Sequence, residues 1–445
     1  GSYVVRTPLW QGTGCTSQCG AVTWFNSSGR TVLNERGGQV SSSNSLIGSN
    51  TSPMITRVGE RIYALNNGSY LASSDAGVVV LNGGASSTGV ITYSQLLTGT
   101  GAYPNVVLLT DGSFTISEPN AAVNGITNAG KVIWVQASGS PGQSFDNIPG
   151  LYGTTANSYV GLGGVTALAG GNYVVSSPFW SAGTFANQGA VTVVTDRTLN
   201  QAVSTSNSLY GTAANDRVGA GLNFDVTNAN SFGTPNQTVV ALANGQFVVN
   251  SPRWGGYKGA VTWGDINTPN SLTGPVSAAN SLVGSTSDGT KYASDMLGSG
   301  GVLALTNGNY LVLSPAWKNT FISPNATQAG AATWGTSGGL IGTVNADNSL
   351  LGASANDQIG IGGAVALQDG RAMVGSSLWD RKTPTTVYDL GRVDILEFSS
   401  GLSSATLGFS TTPAVDSQVA ASDIVAMLDA GTGVTLQANN DIKVS

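Results

Sequence analysis

The chain has 445 residues, of which 40% are hydrophobic and only 9% are charged, and its formal net charge is −6. The hydrophobic fraction is sufficient for a core, so the abundance of Gly, Ser, Thr and Asn does not by itself predict disorder. Nucleic acid and acidic membranes are disfavoured as partners, because both require concentrated positive charge. No apolar run is long enough for a transmembrane helix, and no signal peptide is found. Because the chain begins directly on a strand-like run, we expect a fragment or a processed form.

The two cysteines, Cys15 and Cys19, lie in a loop rich in Gly, Ser and Thr. A local disulfide between them fits a secreted protein, and two free thiols are the alternative. The chain contains no histidine. Because a cysteine pair supplies only half of the ligands of a structural zinc site, we expect neither a metal nor another cofactor.

One hairpin pattern recurs along the chain. In its clearest copy, Asn307-Gly308 joins two apolar runs, and this dipeptide predicts a β-hairpin with a type I′ turn. Tyr310 and Val312 are expected on one face of the second strand. Leu311 and Leu313 are expected on the other face, so the strand is predicted to be covered on both sides.

Three phrases repeat in a fixed order. The second hairpin strand occurs in seven copies, beginning at Ser2, Ser69, Ser113, Asn172, Gln246, Asn309 and Arg371. Each copy precedes a Gly-plus-apolar strand, beginning at Gly20, Gly89, Gly130, Gly189, Gly259, Gly330 and Gly391. The phrase Asn-Ser-Leu-x-Gly follows in four copies, beginning at Asn44, Asn207, Asn280 and Asn348. In the sixth copy a weaker strand near 340–344 is predicted to complete a unit of four.

The nine tryptophans follow the same repeat. They lie either in a Pro-x-Trp ending of the hairpin or at the end of the Gly-plus-apolar strand, and they are Trp10, Trp24, Trp134, Trp180, Trp254, Trp263, Trp317, Trp334 and Trp379. A repeated position indicates a repeated packing role. We therefore interpret them as core residues between units rather than as a row of ligand-binding aromatics.

Four-stranded units of about 60 residues are typical of β-propeller blades. A single sheet with two apolar faces is unstable alone, whereas neighbours on both sides cover both faces. The sequence therefore predicts an all-β fold, a seven-bladed β-propeller over residues 1–400, with a linear β-solenoid as the alternative. The pattern resembles the FG-GAP repeats of integrin-type propellers. The calcium loops of that family are absent, so the resemblance implies the fold and not the metal, and Asp216, Asp288 and Asp357 are interpreted as turn-capping residues.

Residues 401–445 break the pattern and form a second predicted segment. Within it, residues 423–444 resemble a phrase of filamentous-haemagglutinin-like bacterial exoproteins, where a short helix precedes the first rungs of a right-handed β-helix. The resemblance implies a large secreted or surface-anchored protein exported by a two-partner or autotransporter route. In a competing alignment, residues 424–431 supply the first hairpin strand that copy one lacks and close the propeller. The missing strand of copy one is otherwise expected upstream, in a longer parent chain.

Catalytic signatures are absent from the sequence. Without histidine no Ser-His-Asp or Cys-His arrangement is possible, and neither a nucleophile elbow nor a phosphate loop is found. We therefore predict that the chain is not an enzyme and has no catalytic, cofactor-binding or metal-binding residues.

The predicted function is that of a binding or spacing module of a bacterial surface adhesin. We expect it to be extracellular, to contact a glycan or protein through loops in which copies two and three depart most from the repeat, and to have no nucleic-acid partner and no membrane insertion. One alternative is a structural protein that self-associates into a filament, sheath or surface layer. The other is a hydrolase on a propeller scaffold.

Overall fold

A computed structural model describes residues 1–12, 15, 17–50, 54–100, 104–222, 238–268, 271–290, 293–381 and 388–396. Within these ranges the chain forms seven small sheets, and the prediction of an all-β repeat fold is confirmed. Among the same residues, no helix has both the length and the apolar composition needed to cross a membrane. Residues 401–445, including the haemagglutinin-like phrase, lie outside the described ranges.

The chain divides into two compact units, and the first comprises Gly1–Trp180 and Val193–Val203. Its first sheet has the strand order Tyr3–Thr7, Ala21–Phe25, Leu46–Ile47 and Gly89–Val90. The second sheet has the order Ile62–Ala64, Ser69–Ser74, Gly77–Asn82 and Leu97–Thr98. The third sheet has the order Asn105–Leu108, Phe114–Glu118, Lys131–Val135, Gly150–Tyr152 and Gln201–Ala202. The first hairpin of the fourth sheet joins Gly164–Ala167 to Tyr173–Ser177.

The second unit comprises Ser181–Thr192 and Ser204–Ser445. Of the later strands of the fourth sheet, Ser208–Tyr210 and Gly274–Pro275 lie in this unit, as do residues 190–192 of the strand Ala190–Val194. The fifth sheet has the order Val239–Ala241, Gln246–Ser251, Ala260–Asp265, Ser281–Val283 and Gly342–Thr343. The sixth has the order Gly301–Ala304, Tyr310–Ser314, Ala331–Gly335 and Ser349–Leu351, and the seventh Ala364–Ala366, Ala372–Ser376 and Arg392–Leu396. Across both units, the described helical segments are one α-turn, Trp254–Tyr257, and the 3₁₀ turns Ala85–Ser87, Tyr93–Gln95, Phe145–Asn147, Ala169–Gly171 and Ala243–Gly245.

The fourth strand of the sixth sheet differs from the prediction. The segment near 340–344 forms a short strand, Gly342–Thr343, which pairs in parallel with Ser281–Val283 of the fifth sheet. The true fourth strand is Ser349–Leu351, which lies within the Asn-Ser-Leu-x-Gly phrase and pairs with Ala331–Gly335. In the fourth, fifth and sixth sheets this phrase therefore marks the fourth strand, and the short segment before it extends the preceding sheet.

The third strand of the second sheet also differs from the prediction. It is Gly77–Asn82, which follows Ser69–Ser74 after a turn of only two residues. The predicted segment at Gly89 instead forms Gly89–Val90, which pairs in parallel with Leu46–Ile47 of the first sheet. Copy two contains two Gly-plus-apolar runs, one beginning at Gly77 and one at Gly89. The run at Gly89 ends in Thr and an aromatic residue, as in other copies, but the run at Gly77 forms the third strand.

The hairpin at Asn307-Gly308 forms as predicted, but with another turn. The Leu305 N–H donates to the Asn309 carbonyl at 2.9 Å, and the Gly308 N–H donates to the Leu305 carbonyl at 3.1 Å. Of Asn307 and Gly308 only the glycine has a positive φ, +84°, whereas a type I′ turn needs positive φ at both central residues. The loop is therefore a three-residue connection, a type I turn followed by a left-handed glycine.

The core lies between consecutive sheets within each unit. Tyr310 and Val312 belong to a cluster shared with the fifth sheet, whereas Leu311 and Leu313 belong to a cluster shared with the seventh. The predicted cover on both faces of this strand is confirmed. Full burial of a side chain of this size contributes roughly 1.5–3 kcal/mol, so each sheet derives much of its stability from its neighbours.

Two loops meet at the same end of a sheet in five of the seven described sheets. We call the connection between the second and third strands the middle loop, and the connection from the fourth strand to the next sheet the exit loop. In the sixth sheet the N–H of Ile359, in the exit loop, donates to the carbonyl of Ala329, in the middle loop, at 3.0 Å. The corresponding exit-loop donors of the other sheets are Val58, Val160, Val218 and Leu297.

This contact requires glycine on both loops. A Cβ on Gly352, where the exit loop begins, would lie 2.0 Å from the Ala329 carbonyl oxygen. One on Gly330, which ends the middle loop with a φ of +78°, would lie 2.2 Å from the Ile359 nitrogen. The same clash, at 2.0 to 2.4 Å, is met at the exit-loop glycines Gly48, Gly153, Gly211 and Gly284. The last glycine of the Asn-Ser-Leu-x-Gly phrase is thus explained by the backbone that faces it.

The variant Gly352→Ala is predicted to destabilise the protein by about 1–3 kcal/mol, because its methyl group forces the two loops apart. The measurement is the thermal unfolding midpoint, compared with that of Gly338→Ala. Gly338 lies in a turn where an added Cβ meets only the Thr336 hydroxyl, at 3.7 Å. This control also corrects for the stabilisation that alanine gives by restricting the unfolded chain. Equal midpoints for the two variants would contradict the steric account.

Candidate functional site

The Pro-x-Trp ending is a tight turn at the start of the middle loop. In the sixth sheet the Trp317 N–H donates to the Ser314 carbonyl at 3.0 Å, with Pro315 in the position that a type I turn prefers. The Ser314 hydroxyl accepts the N–H of Gly298, in the exit loop of the fifth sheet, at 3.0 Å. The equivalent hydroxyls that accept an exit-loop glycine N–H belong to Ser177, Ser251 and Ser376. The motif therefore joins a sheet to the one before it.

The predicted packing tryptophans occupy two environments. Trp317 and Trp334 are buried in the clusters between consecutive sheets, and Trp180 is also buried. The partly exposed ones are Trp10, Trp24, Trp134, Trp254, Trp263 and Trp379. Of these, Trp24, Trp263 and Trp379 pack against inter-sheet clusters. Two of the partly exposed tryptophans meet cations: Arg197 lies 4.9 Å from the centroid of the Trp134 ring, and Arg392 lies 5.4 Å from that of Trp379.

Buried carboxylates close the exit loops. Both backbone N–H groups of Ala353 and Ser354 donate to one oxygen of Asp357, at 2.9 and 2.8 Å. The other oxygen accepts the N–H of Asp380, the residue after Trp379 of the next sheet, at 3.2 Å. Asp216 and Asp295 make the same arrangement, accepting the N–H groups that follow Trp254 and Trp317.

These contacts define the role of the predicted capping residues. Asp216 and Asp357 cap exit loops, and Asp288 accepts the N–H of Thr290 at 2.8 Å in its own turn. Asp295 was missed, because the insertion before it hides its alignment with the other two. Among the residues that the structure describes, no group of three or more Cys, Asp or Glu side chains is placed to hold a metal ion.

Burial and hydrogen bonding shift the pKa values of these carboxyls in opposite directions. Burial raises the pKa of Asp357 above the ordinary Asp value, and the backbone N–H donors offset only part of that effect. The pKa of Asp216 is raised for the same reason. In contrast, the backbone and hydroxyl donors of Thr290 lower the pKa of Asp288, which is exposed.

The Asn-Ser-Leu phrase forms a hydrogen-bonded chain of side chains. In the sixth sheet the Thr333 and Ser349 hydroxyls are 2.8 Å apart, and Ser349 donates to the Asn348 side-chain oxygen at 2.7 Å. The same oxygen accepts the Asn345 N–H at 2.9 Å. The equivalent Thr–Ser pairs are Thr23–Ser45, Thr192–Ser208 and Thr262–Ser281. The phrase is therefore structural, and its threonine partner explains the Thr that recurs in the third strand.

The two cysteines lie in the middle loop of the first sheet. The structure joins Cys15 and Cys19 in a disulfide, with their Cα atoms 5.9 Å apart, and both residues are buried. The Cys19 carbonyl accepts the N–H of Val58 in the exit loop at 3.0 Å. The crosslink thus holds the middle loop at the point where it meets the exit loop.

Two middle loops of the second unit present exposed aromatic side chains. Phe321 is 60% exposed and Phe185 is 41% exposed. Phe321 lies in the middle loop of the sixth sheet, and its ring centroid is 6.1 Å from that of Trp317. Phe185 lies in the middle loop of the fourth sheet. No sequence pattern points to these two residues, because neither belongs to a repeated phrase.

Both loops are fixed in shape by a side-chain amide. In the sixth sheet, Asn319 donates to the Gly352 carbonyl at 2.8 Å and accepts the Phe321 N–H at 3.0 Å. In the fourth sheet, Gln188 donates to the Gly211 carbonyl at 2.9 Å. Both acceptors are exit-loop glycines. The exposed phenylalanines therefore stand on loops that are anchored to the close contact between the middle and exit loops.

A small cavity lies between the second and third sheets. Its volume is about 50 Å³, and its walls include Leu97, Phe114 and Val135, with Ser138 and Ser140 among the lining residues. Pockets for drug-sized ligands measure roughly 300–1,000 Å³. This cavity is too small for such a ligand, so the exposed loops are the better candidate site.

Comparison with protein families identifies the repeats. Residues 1–57, 167–220, 241–291 and 304–361 match a family model described as "Repeat of unknown function (DUF5650)". These are the four copies that contain the Asn-Ser-Leu-x-Gly phrase. Each of these segments is similar to that repeat. No curated protein matches the sequence.

Several solved structures share a loose similarity. Hydrazine synthase of Kuenenia stuttgartiensis is 14% identical, with a TM-score of 0.30, and the match covers 74% of this chain and 73% of that one. A eukaryotic initiation factor is 10% identical, with a TM-score of 0.36 and coverages of 89% and 73%. A quinoprotein alcohol dehydrogenase-like protein of Bacteroides thetaiotaomicron is 10% identical, with a TM-score of 0.28 and coverages of 79% and 68%. Scores this low carry no functional argument.

The prediction that the chain is not an enzyme is not supported. Two of the three structures carry the names of an enzyme or of an enzyme-like protein. The prediction rested chiefly on the absence of histidine, which excludes only the mechanisms that need an imidazole. It is therefore withdrawn. The comparisons give no support for a haemagglutinin-like or adhesin identity.

The pH dependence of stability tests the buried carboxylate at Asp357. The pKa of Asp357 is raised in the folded protein. The stability of the wild type relative to Asp357→Asn is therefore greatest below the ordinary Asp pKa of about 4, and this difference in stability is lost as pH rises through the folded pKa. Asp288→Asn is the matched control. The pKa of Asp288 is lowered in the folded protein. The stability of the wild type relative to Asp288→Asn is therefore greatest above about pH 4, and this difference is lost as pH falls through the folded pKa. The measurement is the thermal midpoint of the wild type minus that of the variant, between pH 3 and 7. Its slope against pH should be negative for Asp357→Asn and positive for Asp288→Asn. Slopes of the same sign would rule out the assigned environments.

Proposed function

We propose that this chain is a binding module of a large secreted or surface-exposed bacterial protein, and that its middle loops contact the ligand. The observation that carries the proposal is the pair of exposed phenylalanines on hydrogen-bonded loops. Rigid scaffolds that display loops are a common basis for binding sites. Phe321 is the more exposed of the two, and Asn319 fixes the backbone at its N–H.

For the fold we propose a seven-bladed β-propeller. The proposal is supported by seven sheets in chain order and by the hydrophobic clusters between consecutive sheets of each unit. The repeated hydrogen bonds from an exit loop to the following sheet also support it. An experimental structure of the intact chain tests the blade count, and an open row of sheets or a different number would contradict it.

The chemistry of the loops favours an uncharged ligand. With only 9% charged residues, the chain lacks the means for strong electrostatic attraction. An exposed aromatic ring offers a flat apolar face, which suits the apolar face of a sugar ring. We therefore assign the ligand class as a neutral glycan on a cell surface. We propose that the chain acts outside the cell, and the disulfide in its first middle loop supports this proposal.

The double variant Phe185→Ala, Phe321→Ala is predicted to lower glycan affinity about tenfold or more, because truncated aromatic anchors often lose 1 kcal/mol or more each. A glycan array first identifies the neutral sugar, and calorimetry then compares the variant with the wild type. Ile341→Ala is the control, since Ile341 is also 60% exposed but lies outside the middle loops. Its affinity should equal that of the wild type.

Two results would count against the proposal. One is a wild-type protein that binds no sugar on the array. The other is an affinity that the double variant retains in full while its thermal midpoint is unchanged.

A further inference from the structure

A pair of side-chain amides bridges the middle and exit loops of the fourth sheet, close to the exposed Phe185. The Nδ2 of Asn187, in the middle loop, donates to the Oδ1 of Asn215, in the exit loop, at 2.9 Å. Asn215 is exposed and Asn187 is partly exposed. Asn187 follows Phe185 by two residues, so their Cα atoms are at most about 7 Å apart. The amide pair and the aromatic ring are therefore close enough for one ligand to contact both.

The backbone that carries these residues is fixed. The Ala186 carbonyl, directly after Phe185, accepts the Asn215 N–H at 2.9 Å. The Asn187 carbonyl accepts the Arg217 N–H at 3.1 Å. A ligand would therefore meet groups whose backbone is already ordered, and this lowers the entropy cost of binding.

The fold does not require the amide pair. In the fifth sheet Tyr257 takes the place of Asn187, two residues before the glycine that ends the middle loop. The Met296 N–H still donates to the Tyr257 carbonyl at 2.9 Å, so the two loops meet there as they do in the fourth sheet. A left-handed backbone does not demand asparagine either, since φ is +53° at Asn187 and +71° at Tyr257. The two amides are therefore available for a role other than joining the loops.

The pair offers both donors and acceptors to a ligand. A side-chain amide has two N–H donors and an oxygen with two lone pairs. The bond between the two side chains uses one N–H of Asn187 and one lone pair of Asn215, and within the described part of the chain neither side chain makes another hydrogen bond. The Asn187 oxygen can thus accept from one sugar hydroxyl, while the Asn215 Nδ2 donates to the next hydroxyl on the ring.

We propose that the Asn187–Asn215 pair is the hydrogen-bonding part of a glycan subsite and selects a neutral sugar with two adjacent free hydroxyl groups. This inference rests on the proposed function, in which the Phe185 ring covers the apolar face of the same sugar. The amides carry no charge, which matches a neutral ligand. Selectivity follows because a sugar that lacks one of the hydroxyls leaves a polar group of the site without its partner.

The third sheet contains an equivalent pair in a different setting. The Asn128 Nδ2 donates to the Asn157 Oδ1 at 2.9 Å. There the Tyr159 hydroxyl accepts from the Asn128 Nδ2 at 3.2 Å and donates to the Asn157 Oδ1 at 3.3 Å, so it occupies part of the pair. The Tyr159 ring packs against Phe179, with centroids 6.0 Å apart, and the middle loop of this sheet contains no aromatic residue. This pair is therefore a matched control.

The experiment uses the full chain and compares Asn215→Gly with Asn157→Gly. Each variant removes one amide of a pair, and glycine adopts the φ of +63° or +59° without strain. Binding to the glycan array is competed with methyl glycosides of the neutral hexoses. Asn215→Gly is expected to lower the affinity about tenfold, which corresponds to roughly two lost hydrogen bonds to the ligand. Asn157→Gly should bind like the wild type, and thermal midpoints establish that both variants fold.

Monodeoxy analogues of the competing glycoside test the selectivity. For the wild type, removal of either of two adjacent hydroxyls is expected to weaken competition about fivefold or more, because an amide group then loses its partner. For Asn215→Gly the penalty at one of these hydroxyls should disappear, since the group that it contacts is already gone. A purely structural role of Asn215 would leave that penalty unchanged.

Three outcomes would overturn this inference while glycan binding through Phe185 and Phe321 stands. In the first, Asn215→Gly binds as tightly as the wild type. In the second, Asn157→Gly loses as much affinity as Asn215→Gly. In the third, every monodeoxy analogue competes with the wild type as well as the parent glycoside, a result that remains decisive if Asn215→Gly does not fold. A wild type that binds no sugar overturns both this inference and the proposed function.

Discussion

The close backbone contact between middle loop and exit loop is the constraint on which the repeat depends. It brings a carbonyl such as that of Ala329 within hydrogen-bonding distance of the Ile359 N–H. Only glycine fits at Gly330 and Gly352, because any side chain would overlap the facing backbone. The high glycine content of the chain, 62 residues, is thus partly a packing requirement rather than a sign of flexibility.

From this contact the repeat extends to its neighbours through buried polar bonds. A carboxylate such as Asp357 caps its own exit loop and also accepts an N–H from the next sheet. A serine hydroxyl such as that of Ser314 accepts an N–H from the preceding exit loop. These bonds use neutral backbone donors, which suits a chain with few charges. Exposed ion pairs such as Arg371–Asp369 contribute at most about 1 kcal/mol each.

Much of this organisation was predictable from the sequence, because the repeated phrases follow the strands. The hairpin around Asn307-Gly308 and the two-sided burial of Leu311 follow from local pattern. The predicted position of the fourth strand of the sixth sheet was wrong. The segment near 340–344 pairs in parallel with a strand of the preceding sheet, and such pairing leaves no local periodicity in the sequence. The turn type was also wrong, because a left-handed glycine after a type I turn has the same Asn-Gly sequence. Phe321 was not predictable, because its importance comes from exposure on an anchored loop.

The central claim is that the paired loops are structural and not mobile connections. Hydrogen–deuterium exchange of the intact chain, followed by mass spectrometry, measures this directly. The account predicts that the exit-loop amides exchange as slowly as the amides of the second strands. These exit-loop amides belong to Val58, Val160, Val218, Leu297 and Ile359. Peptides from the exposed connection 35–39, which belongs to neither loop, should exchange faster. Exit-loop amides that exchange as fast as those of residues 35–39 would contradict the claim.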